Sequence, residues 1–160
     1  MDDAIIRIFD PADTEWVVAQ HATLYTRDDG FDDTFGPLVA SILTDFNSGH
    51  DAACERGWIV EVGGQRLGSI FCVRHDAVTA KLRLFLLLPE ARGLGLGQRL
   101  LQTCMGFAEA AGYGRMQLWT HESHAAACAL YRKAGWRLEG SRPVHSFSQD
   151  LVEQTWVYRF

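Results

Sequence analysis

The densest chemistry in the chain lies at residues 82–97, Leu-Arg-Leu-Phe-Leu-Leu-Leu-Pro-Glu-Ala-Arg-Gly-Leu-Gly-Leu-Gly. An apolar strand stops at Pro89, and a glycine-dense turn then opens a helix. Gly93, Gly95 and Gly97 carry no Cβ and can take backbone angles closed to other residues, so several N–H groups can converge on one anion. The helix adds its own unpaired N–H groups and the positive end of its dipole, a combination suited to a pyrophosphate. The same glycines would also serve a tight strand-to-helix turn that binds nothing. Two better-known phosphate motifs are excluded by spacing. Leu100 stands where the dinucleotide fingerprint needs its third glycine, and no Gly-Lys-Ser/Thr follows as in a P-loop.

Other reactive residues are sparse. His121-Glu122-x-His124 groups three potential metal ligands, with His145 later, but structural zinc normally shows clearer Cys/His pairing, and no metal is expected. Cys54, Cys72, Cys104 and Cys128 are far apart, form no Cys-x-x-Cys pair, and three of them sit in apolar patterns, which suits reduced core thiols.

Arg92-Gly93-Leu94-Gly95-Leu96-Gly97 fits the Arg/Gln-x-x-Gly-x-Gly/Ala signature of the GNAT acetyltransferase superfamily. Downstream, Ala127-x-x-x-Tyr131-x-x-x-Gly135-Trp136 resembles that family's second signature, Ala-x-x-x-Tyr-x-x-x-Gly-Phe. The resemblance spans the chain and is closest to the acetyltransferase half of bacterial MarR–GNAT fusion proteins, which carry segments like His21-Ala22-Thr23-Leu24-Tyr25, Leu118-Trp119-Thr120 and His145-Ser146-Phe147. It implies an α/β GNAT fold, with a mixed central sheet whose fourth and fifth strands splay apart. It also implies acetyl-CoA as co-substrate, with its pantetheine arm along the backbone of Leu86, Leu87 and Leu88. The pyrophosphate would lie on the turn formed by Arg92, Gly93, Leu94, Gly95, Leu96, Gly97 and Gln98, and Ser123 and Ala127 complete the cofactor set. Tyr131 matches the family's general acid, which protonates the leaving thiolate; a core aromatic is the plainer alternative.

The base is unassigned, because the fourth strand offers Lys81 and Arg83 where many relatives keep a glutamate. His121 and Glu122 are the candidates, and an imidazole has the right unperturbed pKa, near 6.5. His21, Tyr25, Arg83, His145 and Ser146 are candidates for the acceptor pocket, with ordinary structural histidines as the alternative. Lys81 and Arg83 would repel a polyamine and favour an amine that also carries a carboxylate. The expected activity is acetyl transfer to the primary amine of a small molecule or amino-acid derivative. A CoA-binding sensor of the same fold and an acetyltransferase acting on protein amines are the competing readings. A homodimer is the assembly kept open.

These residues must be positioned by a chain of 160 residues, 48% hydrophobic, with no linker or charge block, which suits one domain spanning residues 1–160. A net charge of −5 without a basic stripe argues against nucleic acid as partner. Met1-Asp2-Asp3 is acidic where a signal peptide is positive, and no apolar run approaches the ~20 residues that span a bilayer, so no membrane partner and a cytoplasmic location are expected.

Periodicity predicts strands over residues 5–9, 57–62, 66–74, 79–88, 116–120, 136–139 and 153–158. It predicts helices up to about Arg27 after a cap at Asp13 or Thr14, over about 35–46 with Leu38, Ile42 and Phe46 buried, from the glycine turn to about Ala111, and over 125–134. The third helix should bury Leu96, Leu100, Cys104, Phe107, Ala108 and Ala111, and Gly63-Gly64-Gln65 should join a hairpin. In the fourth strand Ala80, Leu82, Leu84, Leu86 and Leu88 should share one face.

Overall fold

The computed structural model describes residues 3–160; Met1 and Asp2, part of the acidic start, lie outside the described residues. Its elements run β1 (Ala4–Ile8), α1 (Thr14–Asp29), α2 (Phe35–Gly49), β2 (Arg56–Val62), β3 (Gln65–Arg74), β4 (Thr79–Leu87), α3 (Leu96–Ala110), β5 (Arg115–His121), α4 (Ala125–Lys133), β6 (Arg137–Ser146) and β7 (Gln149–Arg159). The seven strands form one sheet in the order β1-β2-β3-β4-β5-β7-β6. Only β4 and β5 are parallel; every other pair is antiparallel.

Helices cover both faces of the sheet, as a mixed α/β sheet requires. Val17 of α1 and Val39, Leu43 and Phe46 of α2 pack on Ile59 and Phe71. On the opposite face Leu100, Cys104 and Ala108 of α3 and Cys128 and Tyr131 of α4 pack on Trp58, Ile70, Cys72, Met116 and Leu118. The start of α1 is fixed by a buried carboxylate: Arg7 and Arg66 both pair with Asp13, each at 2.9 Å, and Arg7 holds its pKa below the usual carboxylate range.

Several expectations are corrected. The α2 face is one residue off, since Val39 and Leu43 are buried while Leu38 is 44% exposed. Asp13 makes no capping bond to α1. The side-chain cap comes from Asp10, which accepts from the Ala12 N–H at the head of the short 3-10 turn Pro11–Asp13. In α3, Leu101 joins the buried stripe while Phe107 and Ala111 are only partly buried. Residues 140–146 are not a loop but the second half of β6, with Phe147 and Ser148 turning into β7.

The largest correction concerns β4. Arg83 pairs with Phe71, yet three residues later Leu86 pairs with Ser69, two residues earlier on β3. The extra residue is taken up at Leu84, whose φ of 50° lies in the left-handed region. A bulge of this kind reverses which face every later side chain takes. Ala80 and Leu82 therefore face α3, but beyond the bulge Phe85 and Leu87 do, and Leu86 turns to the α1 side.

Candidate active site

β4 and β5 pair only over Thr79–Lys81 with Arg115–Gln117, and beyond Lys81 the two strands diverge. The edge of β4 that faces the gap therefore has no ladder partner. Leu88 donates its N–H to the Leu67 carbonyl at 2.8 Å. Since successive N–H groups of a strand point to opposite edges, Leu87 turns its own toward the gap while Leu86 turns back to β3. Among the three leucines assigned to the pantetheine arm, the donor facing the gap is thus that of Leu87.

The glycine turn closes one end of this gap. Gly93 and Gly95 sit at φ 80° and 75°, and a Cβ at either would enter open space. The first intrahelical bond of α3 is from the Arg99 N–H to the Gly95 carbonyl, which leaves the N–H groups of Leu96, Gly97 and Gln98 without helical partners. Gly97 points the other way: a Cβ there would meet Leu130 Cδ2 at 3.5 Å and Leu87 Cδ2 and Phe85 Cζ at 3.8 Å. The start of α3, the end of β4 and α4 thus converge on one groove. Open backbone donors at a helix N-terminus beside a free strand edge fit a pyrophosphate carrying an extended amide chain. Leu94 and Arg92 are exposed on the turn; Ser123 and Ala127 flank the start of α4.

Tyr131 lies along this groove, its ring 6.2 Å from Phe85, 5.8 Å from Trp136 and 6.1 Å from Trp156. Among the described residues its hydroxyl makes no hydrogen bond. Burial, and then the neighbouring Tyr25, push its pKa up, so the phenol stays protonated.

At the end of β5 the structure brings together His21, Tyr25 and His121 with His124 and Phe147 and with Phe31 and Phe35, which nothing in the sequence pattern marked. Tyr25 stacks on Phe35 at 4.6 Å, lies 5.4 Å from Phe31, and meets His124 edge-on at 5.3 Å. His121 lies 5.7 Å from Phe31 and 5.5 Å from His124, and Phe147 stacks on Phe31 at 4.8 Å. His124 is fixed by Asp29, at 3.2 Å from its Nε2. Burial lowers the His121 pKa, with His124 adding to the effect, which keeps the imidazole neutral and able to take a proton. Glu122 is exposed, its side chain free of hydrogen bonds among the described residues.

Three expected pocket residues, His145, Ser146 and Arg83, fall outside this cluster. His145 forms an exposed pair with Asp150 at 2.9 Å across the end of the β6–β7 hairpin, one residue before half-buried Ser146. Arg83 lines a separate hollow of about 220 Å³ between β4 and α2, with Phe46, His50, Phe71 and Leu84. Its half-buried guanidinium has no hydrogen bond or ion pair among the described residues; burial lowers its pKa and Asp45 partly offsets this. Next to it Lys81 sits 3.5 Å over the Trp119 ring, its pKa pushed down to about 8 by burial and by Arg83. The described residues hold no group of three or more His, Cys, Asp or Glu placed to bind a metal, and all four cysteines are free.

Residues 15–136 match the Acetyltransferase (GNAT) family. The chain belongs to that family. Solved structures agree on the fold. An acetyltransferase from Streptococcus agalactiae superposes with a TM-score of 0.81 at 22% identity over 100% of both chains. A ribosomal-protein-alanine N-acetyltransferase from Brucella melitensis gives 0.80 at 19%, over 98% of this chain and 99% of that one. The yncA protein of Salmonella typhimurium, solved with its cofactor acetyl-CoA, gives 0.77 at 16%, over 99% and 94%. The splayed β4 and β5 and the glycine turn of this acetyltransferase are therefore those of a GNAT fold.

Proposed function

We propose that this acetyltransferase moves acetyl from acetyl-CoA directly to the primary amine of a small molecule of the amino-acid type. The observation that carries the reading is the β4 edge left free beyond Lys81, bounded by the open donors of the glycine turn at one end and flanked by Tyr131. Acetyl-CoA supplies the acetyl group as a thioester. The N–H groups of residues 93–98 would hold its pyrophosphate and Leu87 its amide chain. His121, kept neutral by burial, takes a proton from the acceptor ammonium. The freed amine then attacks the thioester carbonyl carbon. As the carbon–sulfur bond breaks, Tyr131 gives its phenolic proton to the leaving thiolate and regains one from the newly acylated nitrogen, so that an amide, free CoA thiol and a neutral phenol result.

The acceptor's carboxylate is assigned to Arg83, which lines the hollow between β4 and α2 beside Asp45 and whose guanidinium makes no hydrogen bond or ion pair among the described residues. The finer likeness to the acetyltransferase half of MarR–GNAT fusion proteins belongs to the same reading. It rests on the sequence segments at residues 21–25, 118–120 and 145–147, which contribute His21, Tyr25, Thr120 and Phe147 to the surroundings of one cluster. A cytoplasmic location goes with it; among the described residues no helix is long and apolar enough to cross a membrane.

Thiol release from acetyl-CoA over a panel of amines tests the reading. Arg83→Gln should raise KM about tenfold or more for a carboxylate-bearing amine, the loss expected for a charged hydrogen-bonded pair, and leave its carboxamide nearly unchanged. Equal effects on both, or a preference for polyamines, would reject the carboxylate site.

A further inference from the structure

The β6–β7 hairpin carries a phenyl ring into the aromatic cluster and is latched there. Phe147 and Ser148, at the hairpin tip, have φ of 53° and 62°, and neither is the glycine or asparagine that such a turn favours. Non-glycine residues in this region cost of the order of 1 kcal/mol each and persist only where their surroundings hold them. Here the surroundings are the α1–α2 connection. The Asp32 N–H donates to the Phe147 carbonyl at 3.1 Å, the Ser148 hydroxyl to Asp32 Oδ2 at 2.7 Å, and the Gln149 amide to the Gly30 carbonyl at 2.9 Å. The Phe147 ring then stacks on Phe31 and meets Phe35 edge-on at 5.1 Å.

Beneath these rings the polar groups are incomplete. His21 is 2% exposed, and its Nδ1 lies 2.8 Å from the Val17 carbonyl. A carbonyl can only accept, so Nδ1 carries the hydrogen and Nε2, across the ring and away from the helix, bears a lone pair. That atom has no partner, and neither does the buried Nδ1 of His121. A buried lone pair calls for an N–H or O–H donor. Both unpartnered nitrogens belong to rings of the aromatic cluster, His21 beside Tyr25 and His121 beside Phe31, and a polar ligand there would complete them.

We propose that Phe147 holds the place of the acceptor's own aromatic ring, so that the acceptor is an aryl-bearing primary amine that enters when the hairpin tip lifts. The ring of the acceptor stacks on Phe31 and Phe35 where Phe147 now lies, and its amine donates toward the imidazoles. This inference rests on the acetyl-transfer reading above and names the acceptor class of the same site.

Steady-state kinetics of thiol release on the full chain test it, with phenylalanine, alanine and spermidine as probes. Wild-type kcat/KM should be at least tenfold higher for phenylalanine than for either other amine. Phe147→Ala should lower KM for phenylalanine severalfold, because the competing ring is gone, with acetyl-CoA affinity by calorimetry unchanged. Asp32→Asn, which loosens the latch but keeps every ring, should move KM in the same direction and guards against a misfolded hairpin. Absence of phenylalanine-dependent thiol release, equal use of alanine, or unchanged KM in both variants overturns the proposal. If acetyl-CoA itself fails to bind, the acetyl-transfer reading falls as well; if it binds and alanine serves as well as phenylalanine, this inference alone fails.

Discussion

Tyr131 and His21 show how burial sets proton chemistry in opposite directions. Tyr131 is 4% exposed and burial raises its pKa, so the phenol is protonated and a proton donor in the proposed reaction. Tyr131→Phe keeps the ring packing against Phe85 and Trp136 and removes only the proton. Turnover should therefore fall about 10²–10⁴-fold while the dissociation constant for acetyl-CoA stays within about twofold. A wild-type rate in the variant would make Tyr131 a packing residue. His21 is pushed down to about 4 by burial, only partly offset by its bond to Val17. The unfolded chain takes up that proton near pH 6.5 and the folded chain does not, so stability is full above about 6.5 and is lost as pH falls through about 4. A shift of this size corresponds to roughly 3 kcal/mol. Urea titrations should show that His21→Leu flattens the stability curve between pH 6.5 and 4 by about that amount. Parallel curves for variant and wild type would show that His21 is not held neutral.

Among the elements, the glycine turn separates two effects that the sequence treats alike. Gly95 needs its left-handed φ and faces open space, whereas Gly97 faces Leu130, Leu87 and Phe85 at ordinary contact distances. Gly95→Val should therefore weaken acetyl-CoA binding tenfold or more, and Gly97→Ala should bind within about threefold of wild type, both by calorimetry; the first estimate takes about 1–2 kcal/mol for the strained backbone. Similar losses in the two variants would contradict this geometry. The turn was legible because Gly93, Gly95 and Gly97 follow a strand-ending proline and open a helix. The face of α2 was not, because Leu38, Val39, Ile42, Leu43 and Phe46 satisfy helical spacing in two phases and only packing against Phe71 decides between them. No glycine or proline marks the bulge at Leu84, so the reversal of faces along β4 left no trace. The predicted strand over 136–139 stops short of Gly140 and Pro143, yet β6 runs through both as an edge strand, where a missing N–H is tolerated. Phe31, Phe35 and Phe147 were invisible as a group because one hairpin at the far end of the chain completes the cluster.

At the scale of the whole molecule, the sheet is two ladders joined by three residue pairs. β1 to β4 form one, β5, β7 and β6 the other, and the joint at Thr79–Lys81 is reinforced by Arg115, which donates to the Thr79 hydroxyl at 2.7 Å. A ligand lying along the free edge of β4, held by the turn before α3 and by α4, would contact both sides of the split and bind only the folded chain. Acetyl-CoA at about 100 times its dissociation constant should then stabilise the fold by about 2.7 kcal/mol. For a domain of this size that corresponds to a rise in Tm of roughly 5–10 °C. Amide exchange should slow most at Leu87, whose N–H faces the gap, and least at Leu88, already bonded to Leu67. NAD or ATP at the same concentration should shift Tm far less, because neither carries an amide chain to occupy the strand edge. A shift with ATP equal to that with acetyl-CoA would mean that the turn alone binds and the split between β4 and β5 does not. No shift with either would remove the pyrophosphate site from the account of this fold.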